Sequence, residues 1–178
     1  MIGRRDPLEN PEELVRRVYS FVAYRLGEGP DAEDVTSETF ARAVRYRDSY
    51  QRGKGEPIAW LIGIARHAIA DHVGHAAELP AAEGVGATPV EPEETWVQAL
   101  DVRQAVSALE SRDRELIGLR YGADLSARQI AELLGMRTNA VEVALHRALD
   151  RLRSLITDEA PAKGGGSRLG KEGREDAI

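Results

Sequence analysis

The chain predicts an all-α protein: two small helical units joined by a linker. Three observations carry that reading. Apolar residues recur at helical spacing in segment after segment, with capping residues at the starts and Gly or Pro at the stops. No stretch of useful length alternates apolar and polar residues in the manner of a strand. Between the periodic segments, AAELPAAEGVGATPVEPEE is rich in Ala, Gly, Pro and Glu and has no period, as a linker would.

The first helix starts at Asn10-Pro11-Glu12-Glu13. Asn is a good N-cap, Pro suits the first turn, and the two carboxylates sit at the positive end of the helix dipole. Leu14, Val18, Phe21 and Val22 give its apolar stripe up to Leu26, and Gly27 to Pro30 stop it. Asp31 begins the second helix, with Val35, Thr39, Phe40, Ala43 and Val44 as its inner face. Asp31, Glu33, Asp34 and Glu38 form an acidic outer patch, which compensation of the dipole alone would account for. Asp48 to Pro57 is a loop carrying Tyr50, Arg52 and Lys54. Such a loop either holds single-stranded nucleic acid by charge and stacking or is a solvated connector.

Pro57 opens a third helix, with Ile58, Leu61, Ile64, Ala65, Ala68, Ile69 and Val73 inside and Arg66, His67, Asp71, His72 and His75 as its polar residues. No HExxH or similar signature accompanies them, so no metal site is expected. Beyond the linker, Trp96, Val97, Leu100, Val102, Val106 and Leu109 resume the helical pattern. Ser111 can cap a further helix that buries Leu116, Ile117 and Leu119, has Tyr121 at its end, and stops at Gly122. The units are expected at residues 8–77 and 94–157, with the linker at 78–93. The Gly-rich tail, 158–178, has too few apolar residues to offset its ordering entropy.

Ser126 to Ile156 reads as two helices and a tight turn. Ser126 and Gln129 suit a capping box, Ile130, Leu133 and Leu134 follow at helical spacing, and Gly135 stands where a left-handed residue is wanted. Thr138 or Asn139 can cap the second helix. Val141, Leu145, Ala148, Leu149, Leu152 and Ile156 line one face of it, with Arg147, Arg151 and Arg153 elsewhere. This is the pattern of a helix-turn-helix, whose second helix enters the DNA major groove; a plain helical hairpin shares its apolar spacing.

Composition limits the function classes. The chain has no cysteine, which removes disulfides, Cys-based zinc sites and Cys nucleophiles. No apolar run approaches the ~20 residues of a membrane span, and the first residues show no secretory signal, so the expected location is the cytoplasm without membrane insertion. A net charge of −6 argues against coating DNA by bulk charge. It leaves room for local basic patches beside an acidic surface for a protein partner. There is no P-loop, GxSxG elbow or carboxylate–His constellation to carry chemistry, so neither an enzyme nor a cofactor is expected.

Four segments taken in order, DAEDVTSETFARA, AWLIGIARHAIADH, LESRDRELIGLRY and LSARQIAELLG, resemble the bacterial sigma-70 family. More narrowly they are similar to its extracytoplasmic-function (ECF) group, which keeps only regions 2 and 4. The resemblance covers about residues 10–77 and 94–156. It implies a transcription initiation factor that binds core RNA polymerase through the β and β′ subunits and directs it to promoter DNA. Asp31, Asp34, Glu38 and Phe40 would dock on polymerase. Tyr50, Arg52, Lys54, Arg66, His67, Asp71 and His72 would recognise and open the −10 element. Arg137, Thr138, Asn139, Glu142, His146 and Arg147 would read the −35 element. The group often employs an anti-sigma factor as a further partner.

The chain departs from the group's common residues at several of these positions. Glu142 stands where Lys or Arg is usual and Ala144 where Arg is usual; His67 replaces a common Asn, His72 a common Arg and Pro57 a common aromatic. At Glu142 and Ala144 these departures imply either a different −35 sequence or weaker −35 affinity, and at His67, His72 and Pro57 a −10 sequence other than the group's usual one. The alternative to a polymerase subunit is a conventional helix-turn-helix regulator that binds duplex DNA by itself.

Overall fold

Pro11 to Leu26 form the first helix, α1, with Pro at the start and Glu12 and Glu13 in the first turn. Asn10 occupies the cap position, but its side chain makes no cap hydrogen bond, so Pro11 and the two carboxylates define this start. The computed structural model describes residues 6–78 and 102–158, and every regular element among them is helical. Leu14, Val18, Phe21 and Val22 are buried as the period requires.

Helix α2 spans Pro30–Arg45, one residue earlier than expected at its start, and buries Ala32, Val35, Thr36, Thr39 and Ala43. Val44, expected inside, is 62% exposed. It lies one residue, about 100°, beyond Ala43 and so falls off the buried stripe. Two 3₁₀ turns, Arg47–Ser49 and Arg52–Lys54, give the following loop a fixed shape. Helix α3 spans Pro57–Glu78, running into the start of the expected linker. Ile58, Leu61, Ile62, Ala65, Ala68 and Ile69 are buried, whereas Val73 is 51% exposed. Residues 73–76 are all exposed, so α3 has run past the layer it packs on.

The second unit begins among the described residues with a helix, α4, over 102–108. Val102, expected in the core, is 43% exposed, while Leu109 is buried. Helix α5 (Ser111–Ile117) follows, with Glu110 at the cap position and Ser111 already helical. The expected continuation to Tyr121 is present but widened: Gly118–Gly122 form a π turn, closed by the Ala123 N–H donating to the Gly118 carbonyl at 2.8 Å. Helix α6 (Ala127–Leu134) starts with the Ser126–Gln129 capping box and ends at left-handed Gly135, φ 65°. Helix α7 is Thr138–Asp158, so Thr138 and Asn139 lie within the helix. Arg151 of α7 makes a two-pronged contact with buried Asp113 of α5, at 2.5 and 2.9 Å, and clamps these two helices together. The remaining linker residues, the tail beyond residue 158, and Trp96, Val97 and Leu100 lie outside the described residues.

The two units share one buried cluster. Phe21 of α1 and Leu61 of α3 belong to it together with Leu116, Leu119, Leu125 and Ile130. The join is close enough to exclude side chains. A Cβ on Gly122 would lie 2.9 Å from the Phe21 amide nitrogen and 3.0 Å from its Cα, and one on Gly118 would lie 3.0 Å from Tyr24 Cβ. Arg17, Phe21 and Arg25, spaced four apart on α1, all face this join. Arg17 donates to the carbonyls of Ala123 (2.9 Å) and Asp124 (3.1 Å), and Arg25 to that of Ser111 (3.3 Å). Backbone carbonyls at the ends of α5 and its turn thus find donors on the first unit.

Candidate nucleic-acid interface

Asp31 and Asp34 stand exposed on α2, as the acidic patch requires, and Glu38 is in the same row. Phe40 is different: it is half-buried and packs against the core. Glu38 and Asp71 were expected to serve different partners, yet both hold Arg42. Its guanidinium donates to Glu38 Oε1 at 2.6 Å and to Asp71 Oδ2 at 2.7 Å. The Glu38 hydrogen bond, then the Asp71 one, raise the Arg42 pKa above the ordinary arginine value. His72 Nε2 lies 3.5 Å from Asp31 Oδ1. A polar seam therefore ties the acidic helix α2 to α3.

The loop before α3 is held by its aromatic residue. The Tyr50 hydroxyl donates to the Gly55 carbonyl at 3.0 Å, and its ring centroid is 5.5 Å from that of Trp60 at a tilt of 55°. Burial raises the Tyr50 pKa above the ordinary tyrosine value; Arg52 opposes this and Glu56 adds to it. Arg52 and Lys54 project exposed beside the pair. Trp60 was not singled out in the sequence. Its signal was its place one helical turn into α3, directly after a loop with a second aromatic and two bases. Tyr50 and Trp60 line a cleft of about 380 Å³ whose far wall is Gln129, Glu132 and Leu133 of α6. Gln129 Nε2 donates to Glu56 Oε2 across it at 2.9 Å.

The four expected DNA residues of α3 do not form one cluster. His67 is exposed, Asp71 is bound by Arg42, and His72 sits by Asp31. Arg66 turns to the second unit, where its Nε donates to Glu115 Oε1 at 2.7 Å. Arg25 Nη1 approaches the other oxygen of the same carboxylate at 3.4 Å. Neither Arg25 nor Glu115 was picked out from the sequence, because nothing local pairs residues so far apart.

The helix-turn-helix is open to solvent. Val141, Leu145 and Ala148 bury one side of α7. On the other side Asn139, Glu142, His146 and Arg147 are exposed, Arg137 is exposed in the turn, and Thr138 is half-buried. His146 Nδ1 is 3.0 Å from Asp150 Oδ2, and Arg153 donates to the same carboxylate at 2.8 Å, so His146 is tethered along the helix. Val143 is 50% exposed amid this polar face, beside Asn139 and Arg147 at helical spacing. The sequence did carry a signal for it: an apolar residue out of phase with Val141, Leu145 and Ala148.

Comparison with known proteins gives this arrangement a context. Residues 12–78 match the sigma-70 region 2 family model and residues 99–152 match sigma-70 region 4. The chain is 34% identical over 173 residues to the ECF RNA polymerase sigma factor SigD of Mycobacterium tuberculosis, covering 86% of this chain and 79% of that protein. It is 33% identical over 151 residues to the ECF RNA polymerase sigma factor BldN of Streptomyces coelicolor, covering 80% of this chain and 57% of that protein. Among solved structures, the sigma factor RpoE in complex with the anti-sigma factor NepR from Bartonella quintana superposes with a TM-score of 0.67. That match is 22% identical and covers 85% of this chain and 99% of that chain, which shows a shared fold.

Proposed function

Because the chain belongs to the ECF RNA polymerase sigma factors of the sigma-70 family, we propose that it binds core RNA polymerase and directs it to promoters through a −10 and a −35 element. It acts as a non-catalytic subunit, in the cytoplasm. Among the described residues no helix is long and apolar enough to cross a membrane.

The observation that carries this reading is the pairing, in one chain, of an exposed helix-turn-helix face with an aromatic and basic loop on a separate unit. A helix-turn-helix reads duplex by placing its second helix in the major groove. Strand capture needs stacking surfaces and cations outside the duplex. Asn139, Glu142, His146 and Arg147, flanked by Arg137 and Thr138, supply the first. Tyr50, Trp60, Arg52 and Lys54, with the exposed His67 on α3, supply the second; Asp71 and His72 are held in the α2–α3 seam beside them. Asp31, Asp34 and Glu38 on α2 offer polymerase a carboxylate surface, and the half-buried Phe40 beside them adds an apolar contact.

Arg66 and Glu56 are engaged by Glu115 and Gln129. Full use of the −10 side therefore requires the second unit to move off the first. An anti-sigma factor is the natural regulator: the solved relative RpoE is described in complex with one.

The test is transcription in vitro with core polymerase and the full chain on a library of genomic DNA, reading start sites. Initiation at a defined set of promoters sharing two spaced elements is expected. No initiation, combined with nanomolar sequence-specific duplex binding by the chain alone, would replace this reading with a conventional regulator.

A further inference from the structure

We infer that Arg25 and Arg66 form a binding site for a phosphodiester of promoter DNA, and that Glu115 occupies this site as a stand-in for phosphate until the two units separate. The inference rests on the reading of the first unit as the −10-binding unit.

The geometry begins with two arginines from different helices, α1 and α3, that converge on one carboxylate. Arg66 Nε reaches Glu115 Oε1 at 2.7 Å, and Arg25 Nη1 reaches Oε2 at 3.4 Å. A phosphodiester presents the same features to these donors: two non-bridging oxygens and one negative charge. Guanidinium groups match that geometry better than ammonium groups do.

Both arginines belong to the first unit and the carboxylate to the second. Once Glu115 leaves, two positive charges that shared one anion stand side by side without it. Like charges held that close favour recruiting a replacement anion. The arginines are also shielded at present: their side chains are 19% and 36% exposed, with α5 lying against them. Separation of the units would open the site and remove its anion together.

The position of the site supports the choice of ligand. Arg66 is six residues, about 9 Å along α3, beyond Trp60 of the aromatic cleft and about 120° round the helix from it. A strand whose bases entered the cleft would reach it across the face of α3 at Gly63, which Leu133 of α6 now covers. The same movement that withdraws Glu115 also withdraws Gln129 from Glu56 at the mouth of that cleft. DNA and the second unit thus compete for one surface, and closure lowers the affinity of the isolated chain for DNA.

The test uses the full chain, free and as holoenzyme on a promoter selected by the wild-type protein. The absence of native cysteine allows dyes to be placed through Ser37→Cys and Ser154→Cys. In the free chain, Glu115→Gln is expected to lengthen the distance between the dyes. It should also speed assembly of the chain with core polymerase by about 5- to 10-fold, the low end of typical coupling between sites, because less of the closed form has to open first. Arg25→Ala should reduce the dependence of promoter affinity on salt by about one phosphate contact. Arg25→Lys, which keeps the charge, should restore most of that dependence.

Any of three results would overturn the inference. In the first, Arg25→Ala opens the chain as Glu115→Gln does but leaves the salt dependence unchanged, making Arg25 part of the closure alone. In the second, Glu115→Gln alters neither the dye distance nor the rate. Equal losses from Arg25→Lys and Arg25→Ala would likewise assign Arg25 a packing role. If the wild-type holoenzyme itself fails to initiate, the broader functional reading fails. If it initiates normally and only the variant pattern is absent, the phosphate site alone is rejected.

Discussion

Gly122→Ala should force the two units apart while leaving each folded. The added methyl would lie 2.9 Å from the Phe21 nitrogen, 3.0 Å from Phe21 Cα and 3.0 Å from the Ser20 carbonyl carbon. All three are backbone atoms of α1, so no change of rotamer relieves the contact. Ordinary contact begins near 3.4 Å, and the helix and the turn must separate by about half an ångström. Overpacking of this kind costs ~1–3 kcal/mol. Because the clash lies between the units, that cost falls on the closed form. The ratio of open to closed molecules should then rise roughly 5- to 150-fold. The dye pair described above reads this directly, with circular dichroism confirming unchanged helix content. Gly74→Ala is the control. Its Cβ meets nothing within 4 Å, and in a helix the change should stabilise by up to ~1 kcal/mol without altering the distance. A Gly122→Ala protein with wild-type dye distance and helix content would refute the claim that backbone contact at this turn holds the units together.

Val143 faces outward where a major-groove reader would meet bases, and an apolar side chain there suits the methyl group of thymine. Replacing the relevant −35 thymine by uracil should weaken wild-type promoter binding several-fold and leave Val143→Ala binding almost unchanged; equal losses in both would remove Val143 from readout. Trp60→Ala should slow promoter opening, at a cost of ~1–3 kcal/mol if one base stacks there, while binding of a −35 duplex stays the same; permanganate footprinting of unpaired thymines measures it. Charge reversal at Asp34 and Glu38 together should reduce assembly with core polymerase in a pull-down without loss of helix, and normal assembly would leave the acidic row as solvated surface. Tyr24 should titrate above the ordinary tyrosine value of 10.0, because burial and then Tyr121 both disfavour its anion. Above pH 10.0 the unfolded chain loses a proton that the folded one keeps, so stability falls as pH rises from there toward the raised value. Since Tyr24 packs with Leu109, Ile117 and Ala148 of the second unit, Gly122→Ala should bring its alkaline absorbance titration back toward the ordinary value.

The helices were legible because their signals are local. The Ser126–Gln129 box and Gly135 each act within a turn of the chain, and both appear as expected. Where expectation and structure part, the cause is a neighbour or an end. Val44 and Val73 are apolar residues beyond the edge of the layer that would bury them. The exposed face of α7 could be placed by phase alone, and the resemblance supplied roles for it. The contacts that join the two units were not legible, since Arg66–Glu115, Arg25–Glu115 and Gln129–Glu56 connect residues 49, 90 and 73 positions apart. Gly118 and Gly122 were visible as residues, but their role follows from α1 lying against them, which no local pattern encodes.

The closed arrangement treats the two surfaces proposed to meet DNA unequally, and this bears on how an acidic chain could find promoters. Among the described residues nothing covers the exposed face of α7, whereas Arg66 pairs with the second unit and α6 forms one wall of the aromatic cleft. With a net charge of −6, the free chain gains little from general attraction to DNA. Opening would also expose part of a cluster that runs from Phe21 to Ile130, a cost that duplex contact by α7 alone does nothing to offset. Polymerase can offset it by binding the first unit through α2 and holding the second at a distance. The order of events then follows from the energetics. On the proposed function, assembly with polymerase would come first, release of Glu115 from Arg25 and Arg66 would accompany it, and strand capture at Tyr50 and Trp60 would come last.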